Sequence, residues 1–268
     1  MIHRIGRPEY LDWLVRWKEK QIIKVVSGVR RCGKSTLFEM YRDYLSANGV
    51  EDSQFIVLNF EDIEFEFIDN YKILYRYIAE RLRPDKMNYI FLDEIQHVDE
   101  YEKAVDSLFL KENCDVYITG SNAYFLSGEL ATMLSGRYVE LQMLPLSFRE
   151  FSTGLKGTQR EGLSNAEKFN QYIELSSFPY VLRFELNKRE AREYMQGLYD
   201  TVLLNDVEAQ KDCRCRHAKK RVKVHAPQHR QQGFFHQYSQ HHEIGRKGSG
   251  SKNRRQIFGR FEGGASAI

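Results

Sequence analysis

The stretch "IIKVVSGVRRCGKST", residues 22–36, constrains the fold more than any other part of the chain. A short β-branched run, "QIIKVVS" (21–27), reads as a buried strand. It feeds two glycines five residues apart, Gly28 and Gly33, and then Lys34, Ser35 and Thr36. The residues that follow, "TLFEMYRDYLSANG", have helical spacing and close at Asn48-Gly49. A glycine loop between a buried strand and a helix N-terminus turns several backbone N–H groups toward one point, an arrangement that holds an anion. A plain glycine turn explains neither the lysine nor the serine at this spacing, whereas a phosphate-cradling loop explains both. Lys34 is expected to reach the β/γ-phosphates of a nucleotide, and the Ser35 hydroxyl to ligate Mg²⁺. Gly28, Val29, Arg30, Arg31, Cys32, Gly33 and Thr36 complete the expected nucleotide-binding loop; Arg30 and Arg31 could add phosphate contacts, though solvated arginines are the favoured reading there.

Strands and helices then alternate. "QFIVLNF" (54–60), "NYIFLDE" (88–94), "CDVYITG" (114–120) and "RYVELQML" (137–144) read as strands. "NYKILYRYIAERLR" before Pro84, "EYEKAVDSLFLKEN" and "SGELATMLSG" read as the intervening helices, and residues 8–20 as a leading one. This alternation predicts an α/β domain over residues 1–150, a parallel sheet covered on both faces. From 145 to about 206 only helical patterns occur, so 151–210 is expected to form a small α-helical lid or connector.

Two further strand ends carry chemistry. "YIFLDEIQ" delivers Asp93 and Glu94 to the end of a buried strand, where an acidic pair is costly without a cation or a task. Behind the glycine loop, Asp93 can hold Mg²⁺ and Glu94 can act as general base toward water. "VYITGSNA" places Thr119, Ser121 and Asn122 where short polar groups can sense a γ-phosphate or orient water. The alternative there is a turn with local side-chain caps. Arg137 opens the fifth strand and is read either as a surface ion pair or as a cation reaching the phosphate of a neighbouring subunit.

In this order, these segments resemble the AAA+ ATPases. The fuller likeness is to a prokaryotic family described as AAA ATP-binding proteins, through "GVRRCGKSTL", "LDEIQHV", "YITGSNAYFLSGELATMLSGRYVELQMLPLSFREF" and "LYDTVLLNDV". It covers about residues 1–210. The resemblance implies a strand order of 5-1-4-3-2, hydrolysis of ATP with Mg²⁺, a helical lid and a C-terminal domain of unknown function. It also implies an unidentified protein or nucleic-acid partner and possible homo-oligomers. One departure is "ELSSFPYV", where the family tends to have glycines before the Phe-Pro pair, so the backbone of that lid loop is in question.

Composition divides the chain after residue 211. The total formal charge is +3, but residues 212–268 hold 13 Lys and Arg against 3 Asp and Glu, and no Leu, Met, Trp or Thr. Such a segment cannot bury enough apolar surface to offset chain entropy and is expected to be disordered. Its cationic run with interleaved aromatics suits nucleic acid, which gives an alternative reading as a nucleotide-switched nucleic-acid binder. The Cys213–Cys215 spacing is poor for zinc. Read one base later, the codons permitted from Lys211 onward allow Lys-Ile-Ala-Asp-Val-Asp-Met-Leu-Lys-Ser-Val-Ser-Lys, a helix-patterned string of the kind the family would continue with. Residues 211–268 are therefore expected to be an out-of-frame tail. No apolar run approaches a membrane span or secretory signal, and Cys32 and Cys114 read as reduced thiols, so a cytoplasmic location is the default.

Overall fold

The computed structural model describes residues 4–120, 134, 136–158, 160–184 and 187–201. All lie in the first of the chain's two compact units, Met1–Cys215. The expected helix "SGELATMLSG", all but two residues of it, and the whole tail from 211 lie outside the described residues.

Five parallel strands form one sheet: β1 (Ile23–Ser27), β2 (Phe55–Asn59), β3 (Asn88–Asp93), β4 (Cys114–Gly120) and β5 (Tyr138–Gln142). Their order is β2-β3-β4-β1-β5, which is the expected 5-1-4-3-2 read from the other edge. The register aligns Val25 with Ile118 on one side and Glu140 on the other, and Leu58 with Leu92. After β1 the chain crosses to the far edge at β2 and returns strand by strand to β4, beside β1. That reversal is a topological switch point, and in open α/β sheets ligands bind beside it, outside the carboxyl ends of the strands.

Along each strand successive side chains point to opposite faces of the sheet, and the two faces differ in chemistry. Ile23, Val25, Ile90, Leu92, Val116 and Ile118 point to one face and pack on α3 (Tyr71–Ala79) and α4 (Tyr101–Phe109). Val26, Tyr89, Phe91 and Tyr117 point to the other and meet α1 (Pro8–Trp17) and α2 (Lys34–Ala47). The second face is aromatic: Phe91 stacks on Tyr117 at 4.9 Å, and Phe38 of α2 meets Phe91 edge-on at 5.2 Å. Lys24 is also buried, ion-paired with Asp115, which accepts a hydrogen bond from the Tyr117 hydroxyl at 2.7 Å. Burial pulls the Lys24 pKa down, and Asp115 opposes that shift.

The helices are shorter than their sequence patterns. The pattern over 70–83 yields a helix ending at Ala79, and that over 100–113 one ending at Phe109. Past residue 145, α5 (Phe148–Gly154), α6 (Asn165–Leu175), a 3-10 turn (Pro179–Phe184) and α7 (188–201) gather around Leu146, Phe151, Leu175, Val181 and Ala191. Capping boxes start both α5 and α6, through Ser147 with Glu150 and Ser164 with Glu167.

Candidate active site

The glycine loop leaves β1 at its carboxyl end. Gly28 (φ 151°) and Gly33 (φ 105°) adopt backbone angles that residues with a Cβ rarely take, and Arg31 is left-handed at φ 67°. A Cβ on Gly28 would stand 2.2 Å from the Met143 carbonyl oxygen, so the exit of β5 presses on the loop's first residue. Met143 N–H also donates to the Ser27 carbonyl at 2.7 Å. Gly33 is the N-cap of α2 and supplies no capping side chain, which leaves the first N–H groups of a fourteen-residue helix facing the loop.

Lys34 is buried and folded back onto this loop. Its Nζ donates to the Gly28 and Val29 carbonyls at 3.1 and 3.4 Å and lies 3.3 Å from Glu94 Oε1. The two acids at the end of β3 are each 6% exposed. Asp93 accepts hydrogen bonds from the Ser35 and Thr119 hydroxyls. Burial raises its pKa, while those two bonds hold it down in part. Glu94 is left-handed at φ 53°, and its N–H donates to Thr119 Oγ1 at 2.9 Å. Thr119 thus joins both acids. Ser121 and Asn122 lie outside the described residues.

Among the other expected loop residues, Val29 and Arg31 are exposed, Thr36 is half-buried, and Cys32 is buried with a free thiol whose pKa burial raises. Cys114 is likewise a free, buried thiol. Arg30 is ion-paired with Glu61 rather than purely solvated. Arg137 is not brought to the loop of its own chain. Its carbonyl accepts from Ile23 N–H at 2.9 Å, at the amino end of β1, and its guanidinium pairs with Asp106.

Sequence reasoning passed over two residues that the structure draws in. Gln96 Nε2 donates to Glu94 Oε2 at 2.6 Å; its only signal was membership of the "LDEIQHV" segment. Arg7 is 4% exposed and donates to Glu150 Oε1 (2.8 Å), Leu144 O (2.9 Å) and Cys32 O (3.2 Å). It therefore fastens the glycine loop to the start of α5, and no local pattern announces it.

The donor set suits a nucleotide with Mg²⁺. One hydroxyl (Ser35) and one carboxylate (Asp93) already share a hydrogen bond, and both are hard oxygen donors. A buried ammonium beside a helix N-terminus, satisfied by its own loop's carbonyls, is poised to exchange them for phosphate oxygens.

Sheet order, glycine loop and acidic strand end together define a P-loop nucleotide-binding domain of the AAA type. Residues 20–152 match the family model described as an AAA domain, and this segment of the chain belongs to that family. It is 39% identical over 204 residues to an uncharacterized protein of Haemophilus influenzae, covering 76% of this chain and 50% of that protein. It is 33% identical over 189 residues to uncharacterized protein MJ1544 of Methanocaldococcus jannaschii, covering 66% and 41% respectively. The chain therefore spans half or less of the length of these two relatives. Among solved structures, the Walker-type ATPase PABY2304 of Pyrococcus abyssi superposes with a TM-score of 0.53 at 15% identity, over 80% of this chain and 77% of that one. That likeness is one of fold. Among the described residues, no helix is long and apolar enough to cross a membrane.

Proposed function

We propose that this chain binds ATP with Mg²⁺ and hydrolyses it, coupling turnover to a conformational change that acts on a macromolecular partner. The observation that carries the reading is the meeting of Lys34 and Glu94, 3.3 Å apart at the mouth of the glycine loop. The loop's N–H groups and Lys34 would bind the β- and γ-phosphates, Lys34 giving up the Gly28 and Val29 carbonyls. Ser35 and Asp93 would hold Mg²⁺, which supplies neutralisation of phosphate charge when bound. Glu94, released from Lys34, would take a proton from water as the general base. Thr119 fixes the backbone of Glu94 and the carboxylate of Asp93, so base and metal ligand move as one unit.

Lys34→Ala should abolish ATP binding, because the phosphates lose their buried cation. Glu94→Gln should still bind ATP but turn it over at least about a hundredfold more slowly, since an amide cannot accept the proton. Equilibrium binding and phosphate release measure the two. Normal turnover by Glu94→Gln sinks the assignment.

A second reading rests on the net +10 of residues 212–268, which would bind nucleic acid. Affinity for DNA that falls steeply with salt and vanishes on deleting 212–268 is its test.

A further inference from the structure

Gln96 occupies a position that the hydrolysis chemistry above does not use. It lies in the 3-10 turn Ile95–His97 that closes β3. Glu94, immediately before that turn, is left-handed at φ 53° and ψ 45°, which costs a residue with a Cβ about 1 kcal/mol or more. The bend brings the carboxamide of Gln96 back onto the carboxylate of Glu94. Gln96 Nε2 holds Glu94 Oε2 at 2.6 Å, while Oε1 of the same carboxylate faces Lys34. The other end of the carboxamide, Gln96 Oε1, is buried and has no hydrogen-bonding partner among the described residues. An unpaired buried acceptor is destabilising by about 1–3 kcal/mol, and native structures retain few of them.

We infer that Gln96 is a positioning residue for hydrolysis: its amide N–H orients Glu94, and its Oε1 accepts a hydrogen bond from the attacking water. The inference rests on the ATPase reading and deepens it. Once phosphate draws Lys34 away, the carboxylate needs a partner that fixes its direction without quenching its basicity. A cation at Oε2 would lower its proton affinity strongly, whereas a neutral amide does so less. In the step itself, water gives one proton to Glu94 Oε1 as its oxygen bonds to the γ-phosphorus. The bond from that phosphorus to the β,γ-bridging oxygen breaks, and ADP leaves with the electron pair. Water's second hydrogen is then directed to Gln96 Oε1, which aligns the remaining lone pair with phosphorus.

Gln96→Leu keeps the volume and removes both ends of the amide. Gln96→Glu keeps the shape and an acceptor but loses the donor and adds like charge. Both should lower kcat about tenfold or more while the Kd for Mg²⁺–ATP stays within about twofold of the wild type. In the nucleotide-free protein, Gln96→Leu should leave Tm unchanged or raised, because the unpaired oxygen goes with the amide. A merely structural glutamine would lower Tm and ATP affinity together with kcat, and that result overturns the proposal. Wild-type kcat in both variants overturns it too, with the ATPase reading intact provided Glu94→Gln is inactive. No turnover by the wild type would strike the ATPase reading first and the role of Gln96 with it.

Discussion

At Gly28 and Ser176 the backbone makes the same demand of two different residues. Both hold φ in the range that favours glycine, 151° and 119°. Gly28 meets that demand and is also crowded, so Gly28→Ala should lose ATP binding and about 2 kcal/mol or more of stability. Ser176 combines φ 119° with ψ 160°, a region almost reserved for glycine. It lies in "ELSSFPYV", the segment whose missing glycines put that loop's backbone in question. Ser176→Gly should raise the urea midpoint, corresponding to about 1 kcal/mol of unfolding free energy once glycine's extra chain entropy is counted. An unchanged or lower midpoint would mean that the hydrogen bond from Phe178 N–H to Ser176 Oγ at 3.3 Å outweighs the strain. The glycine loop was legible from sequence because holding an anion imposes glycine, lysine and hydroxyl at fixed local spacing. Gln96 was not, because its meaning depends on the left-handed turn at Glu94, which no residue type there announces.

Elements were legible where burial imposes a period, and their ends were not. β4 is the exception: it spans Cys114–Gly120 as its sequence segment does, because it is buried throughout. α3 and α4 stop several residues before their patterns do. The contact that ties elements together, Arg7 with Glu150, spans 143 positions and leaves no trace in either local sequence. Arg7, the residue before α1, joins the loop carbonyl of Cys32 to the first turn of α5. Burial pushes the Glu150 carboxyl up, but hydrogen bonds from Arg7 and Ser147 outweigh it, and the net shift is downward. With a folded pKa below the unfolded one, the unfolded chain binds the extra proton between them, so stability rises with pH across that interval. The contribution is fully present above the unfolded glutamate value of about 4.3 and is lost as pH falls through the folded value. Glu150→Gln should therefore cost about 3 kcal/mol at pH 7, because it strands the buried guanidinium, and should flatten the loss of stability below about pH 4. Urea unfolding of the variant and wild type at pH 7 and in that acid window measures both. Parallel stability curves for the two proteins would assign the acid sensitivity to other carboxylates.

At the scale of the whole molecule, the sheet separates two of the expected site residues. Lys34 follows the carboxyl end of β1, and Arg137 flanks its amino end, so the five residues of β1 and a rise of about 3.3 Å each put them about 16 Å apart along the strand. That is too far for an arginine to serve the phosphates of its own chain. Strand order makes this visible, and sequence order alone did not, since Arg137 follows the other site residues as though it continued the series. If Arg137 acts in catalysis, it does so across an interface between copies. Its pair with Asp106 is part-exposed, 41% and 26% for the two side chains, so losing it should change stability by only about 0–1 kcal/mol. Arg137→Ala should then fold and bind ATP yet hydrolyse it about a thousandfold more slowly, the scale on which such arginines act. Lys34→Ala would be inactive for a different reason, because its own loop is empty of ATP. Mixing the two variants should restore turnover, since some interfaces would join an intact loop from one subunit to an intact arginine from the other. The restored rate should rise with protein concentration as copies associate. No rescue on mixing, with wild-type turnover per chain constant across dilution, would leave Arg137 as the partner of Asp106 and the chemistry within a single copy.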